Sequence, residues 1–134
     1  MSERAVLVTG ASRGIGRAIA VAFAAAGDRV AIHHRGSPEL AERLRAELPG
    51  EGHAVVRADL ADPGEARRMV EEAAAALGGI DVLVNNAGVF LHHPITRTSY
   101  EEWQAVWRET LAVMPWRPSA SPWRPWRPAS SRPT

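Results

Sequence analysis

From residue 5 to residue 84 the chain alternates short, nearly unbroken apolar runs with longer stretches in which apolar residues recur at helical spacing. Ala5-Val6-Leu7-Val8-Thr9 stops at Gly10 and has the pattern of a strand buried on both faces of a parallel sheet. Ile15, Ala18, Ile19, Ala22, Phe23 and Ala26 then follow one helical stripe, which Gly27 closes as a C-terminal glycine. Arg29-Val30-Ala31-Ile32-His33 reads as a second strand. Ser37-Pro38 opens a second helix, with the hydroxyl as N-cap and proline at the first helical position; Leu40, Leu44 and Leu48 share a face, and Pro49-Gly50 ends it. His53-Ala54-Val55-Val56-Arg57 is the third strand. Asp62-Pro63 starts a helix with the stripe Ala66, Met69, Val70, Ala73 and Leu77, and Gly78-Gly79 terminates it. Asp81-Val82-Leu83-Val84 is a fourth strand, running into Asn85-Asn86-Ala87-Gly88.

Strands and helices in strict alternation favour a right-handed parallel sheet covered by helices on both faces, a partial Rossmann fold of the doubly wound, three-layer α/β class. After the fourth strand, Ser99 and Glu102 have the spacing of a capping box, and Trp103, Val106, Trp107 and Leu111 give one more amphipathic helix. It is expected to stop at Met114, because a residue before proline is driven out of the α region.

Beyond Met114 the periodicity vanishes. Pro115-Trp116-Arg117-Pro118 recurs as Pro122-Trp123-Arg124-Pro125-Trp126-Arg127-Pro128, and six of the ten prolines fall in the last twenty residues, which denies that stretch both helix and ladder hydrogen bonds. The organisation is therefore a folded segment, 1–114, and a low-complexity tail, 115–134, expected to be extended or disordered with polyproline II preference. Charge divides at the same point: 12 arginines against 15 acids up to Met114, then four arginines and no acid. The overall net charge of +1 averages a mildly acidic body and a basic tail, so it argues for no nucleic-acid partner. Absence of cysteine excludes disulfides and thiolate chemistry. No apolar leader and no run of 18 apolar residues is visible, so a cytoplasmic protein with no membrane span is expected.

The turn after the first strand carries the candidate chemistry. In Thr9-Gly10-Ala11-Ser12-Arg13-Gly14-Ile15-Gly16, Gly10 would allow a tight turn, Gly14 a close approach of backbone to a pyrophosphate, and Gly16 close contact of helix with sheet. The N-terminus of the following helix offers free N–H groups and the positive end of its dipole to an anion. No Lys-Ser/Thr follows, so the loop is not an ATPase P-loop. At the end of the second strand, where an acidic residue would hold the adenosine ribose hydroxyls of NAD, stand His33-His34-Arg35, and Arg13 precedes Gly14. Two guanidinium groups suit a 2′-phosphate, which selects NADP(H) over NAD.

These segments together resemble the N-terminal half of the classical short-chain dehydrogenase/reductase family, within it the 3-oxoacyl-carrier-protein reductase-like members, over roughly residues 4 to 113. The resemblance lies in Thr9-Gly10-x-x-x-Gly14-Ile15-Gly16, in Asp59-Leu60 and in Asn85-Asn86-Ala87-Gly88. It implies that residues 10–16 hold the pyrophosphate, Ser12 among them, that Asp59 beside Leu60 takes the adenine amino group, that the backbone around Asn86, Ala87 and Gly88 lies along the cofactor, and that basic residues at Arg13 and at His34-Arg35 mark NADP(H) preference. It also implies homo-oligomeric full-length relatives and a sheet order of 3-2-1-4 continuing to later strands. Stopping at the fourth strand would then leave an open edge and a chain prone to aggregate.

No catalytic set is legible. The family's proton donor is a Tyr-x-x-x-Lys pair assisted by a serine and an asparagine; this sequence contains no lysine, its one tyrosine, Tyr100, has Gln104 four residues on, and Met114 stands where the asparagine is expected. The abrupt change within a residue of Met114 points to a reading-frame change or premature end, and thus to a cofactor-binding half that turns over nothing. A non-catalytic binding role for the basic Pro/Trp tail is the alternative. The pairs His33-His34 and His92-His93 do not make a metal site, because adjacent side chains on an extended segment diverge and no carboxylate or cysteine completes a set.

Overall fold

The polypeptide lays down β1 (Ala5–Val8), α1 (Gly14–Ala25), β2 (Arg29–His34), α2 (Pro38–Glu47), β3 (Ala54–Arg57), α3 (Pro63–Leu77), β4 (Val82–Val84), a 3-10 turn (Ile95–Arg97) and α4 (Tyr100–Leu111) in a computed structural model that describes residues 3–88 and 95–111. All strand pairs are parallel and the order across the sheet is β3-β2-β1-β4, a Rossmann-like arrangement. The chain moves outward from β1 through β2 to β3 and then returns to the other side of β1. That reversal opens a crevice at the carboxyl ends of the strands next to β1, the place where open α/β sheets bind ligands.

Period-two alternation assigns each strand side chain to one of two cores. Val6, Val8, Val30 and Ile32 pack with Ala20, Ala24, Ala41, Leu44 and Leu48 on the face covered by α1 and α2. Ala5, Leu7, Ala31 and Val56 pack with Met69, Val70, Ala73 and Leu77 of α3 on the other. Each fully buried aliphatic side chain contributes about 1.5–3 kcal/mol, and β1, buried along its whole length between the two layers, carries the densest share.

The α3 stripe is buried at all five expected positions. Asp62 caps that helix, accepting from the N–H groups of Gly64 and Glu65, and Gly78 ends it in the left-handed region at φ 78°. The α4 box is also formed: the Ser99 N–H donates to Glu102 Oε2 at 2.7 Å while the Glu102 N–H donates to Ser99 Oγ at 3.1 Å.

Two expectations need correction. The stripe Ile15, Ala18, Ala22 and Ala26 does not face the sheet; those residues are exposed, Ile15 at 75%. The buried residues of α1 are Gly16, Ala20 and Ala24, flanked by half-buried Ile19 and Phe23, because only small side chains let this helix approach β1 and β2. Gly27 nevertheless closes the helix as expected, with the Asp28 N–H bonding the Phe23 carbonyl and the Gly27 N–H that of Ala24, a Schellman ending. In α2, Leu44 and Leu48 are buried as expected, but Leu40 is exposed and Ala41 takes its place against the sheet; Ser37 occupies the N-cap without a side-chain cap bond. The expected stop of α4 at Met114, the pair His92-His93 and the tail 115–134 lie outside the described residues. Among the described residues no helix is long and apolar enough to cross a membrane.

Candidate functional site

Thr9 and Asn86 build the floor of the crevice. The Thr9 hydroxyl accepts from the N–H groups of Asn86 and Ala87, both at 3.0 Å, and donates to the Val84 carbonyl at 3.3 Å. The Asn86 amide returns two bonds, Nδ2 donating to the Thr9 and Gly10 carbonyls at 3.1 Å each. This cross-bracing joins the end of β1 to the end of β4. It also explains the glycines: Gly10 sits at φ 61°, and a Cβ there would press on Ala87 Cα at 3.0 Å. At Gly16 a Cβ would lie 2.2 Å from the Gly10 carbonyl oxygen and 2.5 Å from Asn86 Nδ2, so the first turn of α1 can seat against the β1 turn only without a side chain. Gly14, at φ 60°, has open space where its Cβ would be.

Above this floor is a cleft of about 490 Å³. Of the residues singled out from sequence, it brings together Gly10, Ser12, Arg13, His34, Arg35, Leu60, Asn86, Ala87 and Gly88. Gly14, Ile15 and Gly16 are not on its lining, nor is Asp59, although both Ala58 and Leu60 are. Asp59 is engaged in its own turn: Oδ1 accepts from the Ala61 N–H at 3.0 Å, and its N–H donates to Glu65 Oε2 at 2.6 Å. Neither side chain nor acid guards the start of α1. Its N-cap, Arg13, makes no side-chain cap bond and its first turn holds no acidic residue, whereas α2 and α3 each carry one there and α4 carries two.

The lining contributes two arginines and no carboxylate among the described residues. With an uncapped helix start beside it, such a surface receives an anion and disfavours a cation. No cluster of three His, Asp or Glu residues that could hold a metal ion occurs among the described residues. Tyr100 is not on the cleft lining: it is exposed on α4, and its hydroxyl accepts from Gln104 Nε2 at 2.6 Å.

Sequence reasoning rejected the adjacent histidines as a metal pair and set His34 beside Arg35 for a 2′-phosphate, but missed the bonds that each imidazole makes. His33 Nδ1 accepts from the Gly10 N–H and Nε2 donates to the Ala58 carbonyl, each at 2.9 Å, with the side chain on the cleft. His34, on the opposite face of the strand, accepts the Ser37 N–H at 3.2 Å through Nδ1. Burial is the first cause that holds both imidazoles below their usual pKa and so neutral; Arg57 adds to it for His34. Thr9 was likewise missed, its signal being a hydroxyl placed immediately before Gly10.

A family model described as short chain dehydrogenase matches residues 4–113. The 3-oxoacyl-[acyl-carrier-protein] reductase FabG of Staphylococcus aureus is 41% identical over 105 residues, 77% of this chain and 43% of that protein. Among solved structures, a short chain dehydrogenase from Burkholderia cenocepacia in complex with NADP superposes with a TM-score of 0.72 at 37% identity, over 83% of this chain and 48% of that one. A blue fluorescent protein from a metagenomic library in complex with NADPH gives 0.69 at 37%, over 82% and 44%. The chain thus spans about half the length of the relatives it matches.

Proposed function

The chain belongs to the short-chain dehydrogenase family, and from that premise we propose that it is the NADP(H)-binding half of a carbonyl or alcohol oxidoreductase, with no proton-transfer centre of its own. The observation that carries the reading is the braced glycine turn, with Gly10 in the left-handed region and Gly16 admitting no Cβ, opening onto a cleft lined by Arg13 and Arg35. The residues present fit a dinucleotide. The turn 10–16 and the uncapped start of α1 would take the pyrophosphate, Arg13 with Arg35 and His34 the 2′-phosphate, Asp59 and Leu60 the adenine, and the backbone of Asn86, Ala87 and Gly88 would lie along the cofactor. When bound, NADPH supplies a hydride. The sequence contains no lysine to pair with a tyrosine, and its one tyrosine, Tyr100, is bonded to Gln104 on α4 and is not on the cleft lining, so among the described residues no Tyr-Lys pair is placed to move a proton at an acceptor carbonyl.

Relatives crystallised with NADP and NADPH support the choice of cofactor, and the reductase relatives support an oxo group on an acyl chain as the substrate of a full-length version. The proposal extends to a cytoplasmic setting, to homo-oligomeric full-length relatives, to self-association of this chain along β4, and to no role in nucleic-acid binding. Titration of the full chain with NADPH and NADH, followed by nucleotide fluorescence, tests it. NADPH is expected to bind with a Kd of tens of micromolar, roughly, because binding must also order the site. NADH should bind at least about tenfold more weakly, a gap that Arg13→Ala with Arg35→Ala closes. Equal affinity for the two nucleotides, or a gap that survives the double substitution, overturns the assignment.

A further inference from the structure

The nucleotide site as drawn so far has a turn whose conformation glycine permits but does not enforce. A left-handed residue at Gly10 is open to many neighbouring conformations, and a preorganised anion cradle needs something to select one. The end of β2 supplies that selection. His33 is 2% exposed, and its ring lies between the β1 turn and the end of β3, taking the Gly10 N–H on Nδ1 and giving Nε2–H to the Ala58 carbonyl. Its own carbonyl accepts the Ala11 N–H at 2.9 Å, so two successive amides of the turn are held by one residue. Only one tautomer can do this: Nδ1 must be bare to accept from Gly10, and Nε2 must carry the proton to reach a carbonyl. Imidazolium fails, because it offers a second donor to an amide that is itself a donor.

We propose that His33, in its neutral Nε2–H form, is the positioning residue that presets the glycine turn for nucleotide, coupling the ends of β1, β2 and β3 into one cradle. This rests on the nucleotide reading of the cleft for its consequence but not for its geometry. The charged and titratable groups around the ring are Arg13 and Arg35 on the same cleft, His34 next along β2, and Asp59 with Glu65 just past β3. Burial is the first cause opposing a proton on His33 and a charged His34 adds to it, while the bond to the Ala58 carbonyl works the other way. The tether acts on the free turn, through the bonds of the Gly10 and Ala11 N–H groups to His33.

The test uses the full chain with two substitutions. His33→Asn keeps an acceptor oxygen near the Nδ1 position and loses the link to Ala58, whereas His33→Phe keeps the ring and removes the acceptor. Long-range nitrogen–proton correlation of the native imidazole should show Nε2 protonated and Nδ1 bare. Amide exchange should show Gly10 protected in the native chain and in His33→Asn, with protection lower by about tenfold in His33→Phe. The NADPH Kd should follow, unchanged within about threefold for Asn and raised about tenfold for Phe. A protonated Nδ1, or equal Gly10 protection in all three chains, overturns the proposal. So does a Phe variant that binds NADPH as the native chain does. If His33→Phe does not fold, the tautomer and the rescue by Asn decide. Native protein that shows the tautomer and the protection pattern yet binds no NADPH contradicts the cofactor reading and leaves the tether standing.

Discussion

β1 and β4 are neighbours with nearly the same side chains, yet their surroundings differ. β1 is buried at every residue, with β2 on one side, β4 on the other and helices over both faces. β4 has one ladder partner among the described residues, and its middle residue, Leu83, is 38% exposed on the face where α3 covers β2 and β3 but not β4. Composition does not separate the two strands; neighbours do. Among the described residues β1 lies between two cores, while β4 braces the site through Thr9 and Asn86, packs Val82 and Val84 against one core and leaves Leu83 exposed on the other face.

The sharpest way to break this comparison is to truncate the paired leucines, which stand opposite each other in the ladder. Leu7→Ala empties a fully buried position and should cost about 2–5 kcal/mol in urea unfolding. Leu83→Ala should change stability by less than about 1 kcal/mol and reduce self-association seen by light scattering. Comparable losses at the two sites would show that β4 is as enclosed as β1. Next in size is Gly16→Ala, where the new methyl meets the Gly10 carbonyl and Asn86. A stability loss of about 1–3 kcal/mol is expected, together with loss of NADPH binding, as the first turn of α1 is pushed off the floor.

Acid should separate the same regions by smaller steps. His33 and His34 have folded pKa values below their usual 6.5, so between the two states the unfolded chain binds more protons and stability falls as pH drops below about 6.5. Asp28, whose side chain is 4% exposed, is held below its usual 3.8 first by the hydrogen bonds from Arg4, at 2.7 Å to Oδ2. Its contribution is present above pH 3.8 and is lost as pH falls through the lower folded value. Urea midpoints taken across this range should show the histidine step first and the aspartate step second, with His33→Asn shrinking only the first. A flat profile down to pH 4 or so would contradict the neutral-histidine account.

How far the sequence could be read follows the same physics. In α3, arginines and glutamates bracket the apolar positions, so the buried stripe is unambiguous from Ala66 to Leu77. In α1 the only charged side chain is Arg17, paired outward with Glu47, and eleven apolar or glycine residues leave the direction of the inner face undetermined. The correct face is the one with the smallest side chains, a property of helix–sheet distance that no hydropathy pattern records. The glycine turn, Asn86 and the arginines were legible because their spacing is local. His33 and Thr9 were not, because their partners at Gly10, Ala58 and Asn86 come together only when three strand ends meet.

The central claim is a cofactor site without a reaction centre, and one sample addresses it: the full chain with NADPH and a 3-oxoacyl thioester, monitored at once for bound-nucleotide fluorescence and for loss of the reduced cofactor. The account predicts saturable binding with no consumption above the protein-free rate. Consumption that co-purifies with the chain and disappears on Gly14→Asp would contradict it.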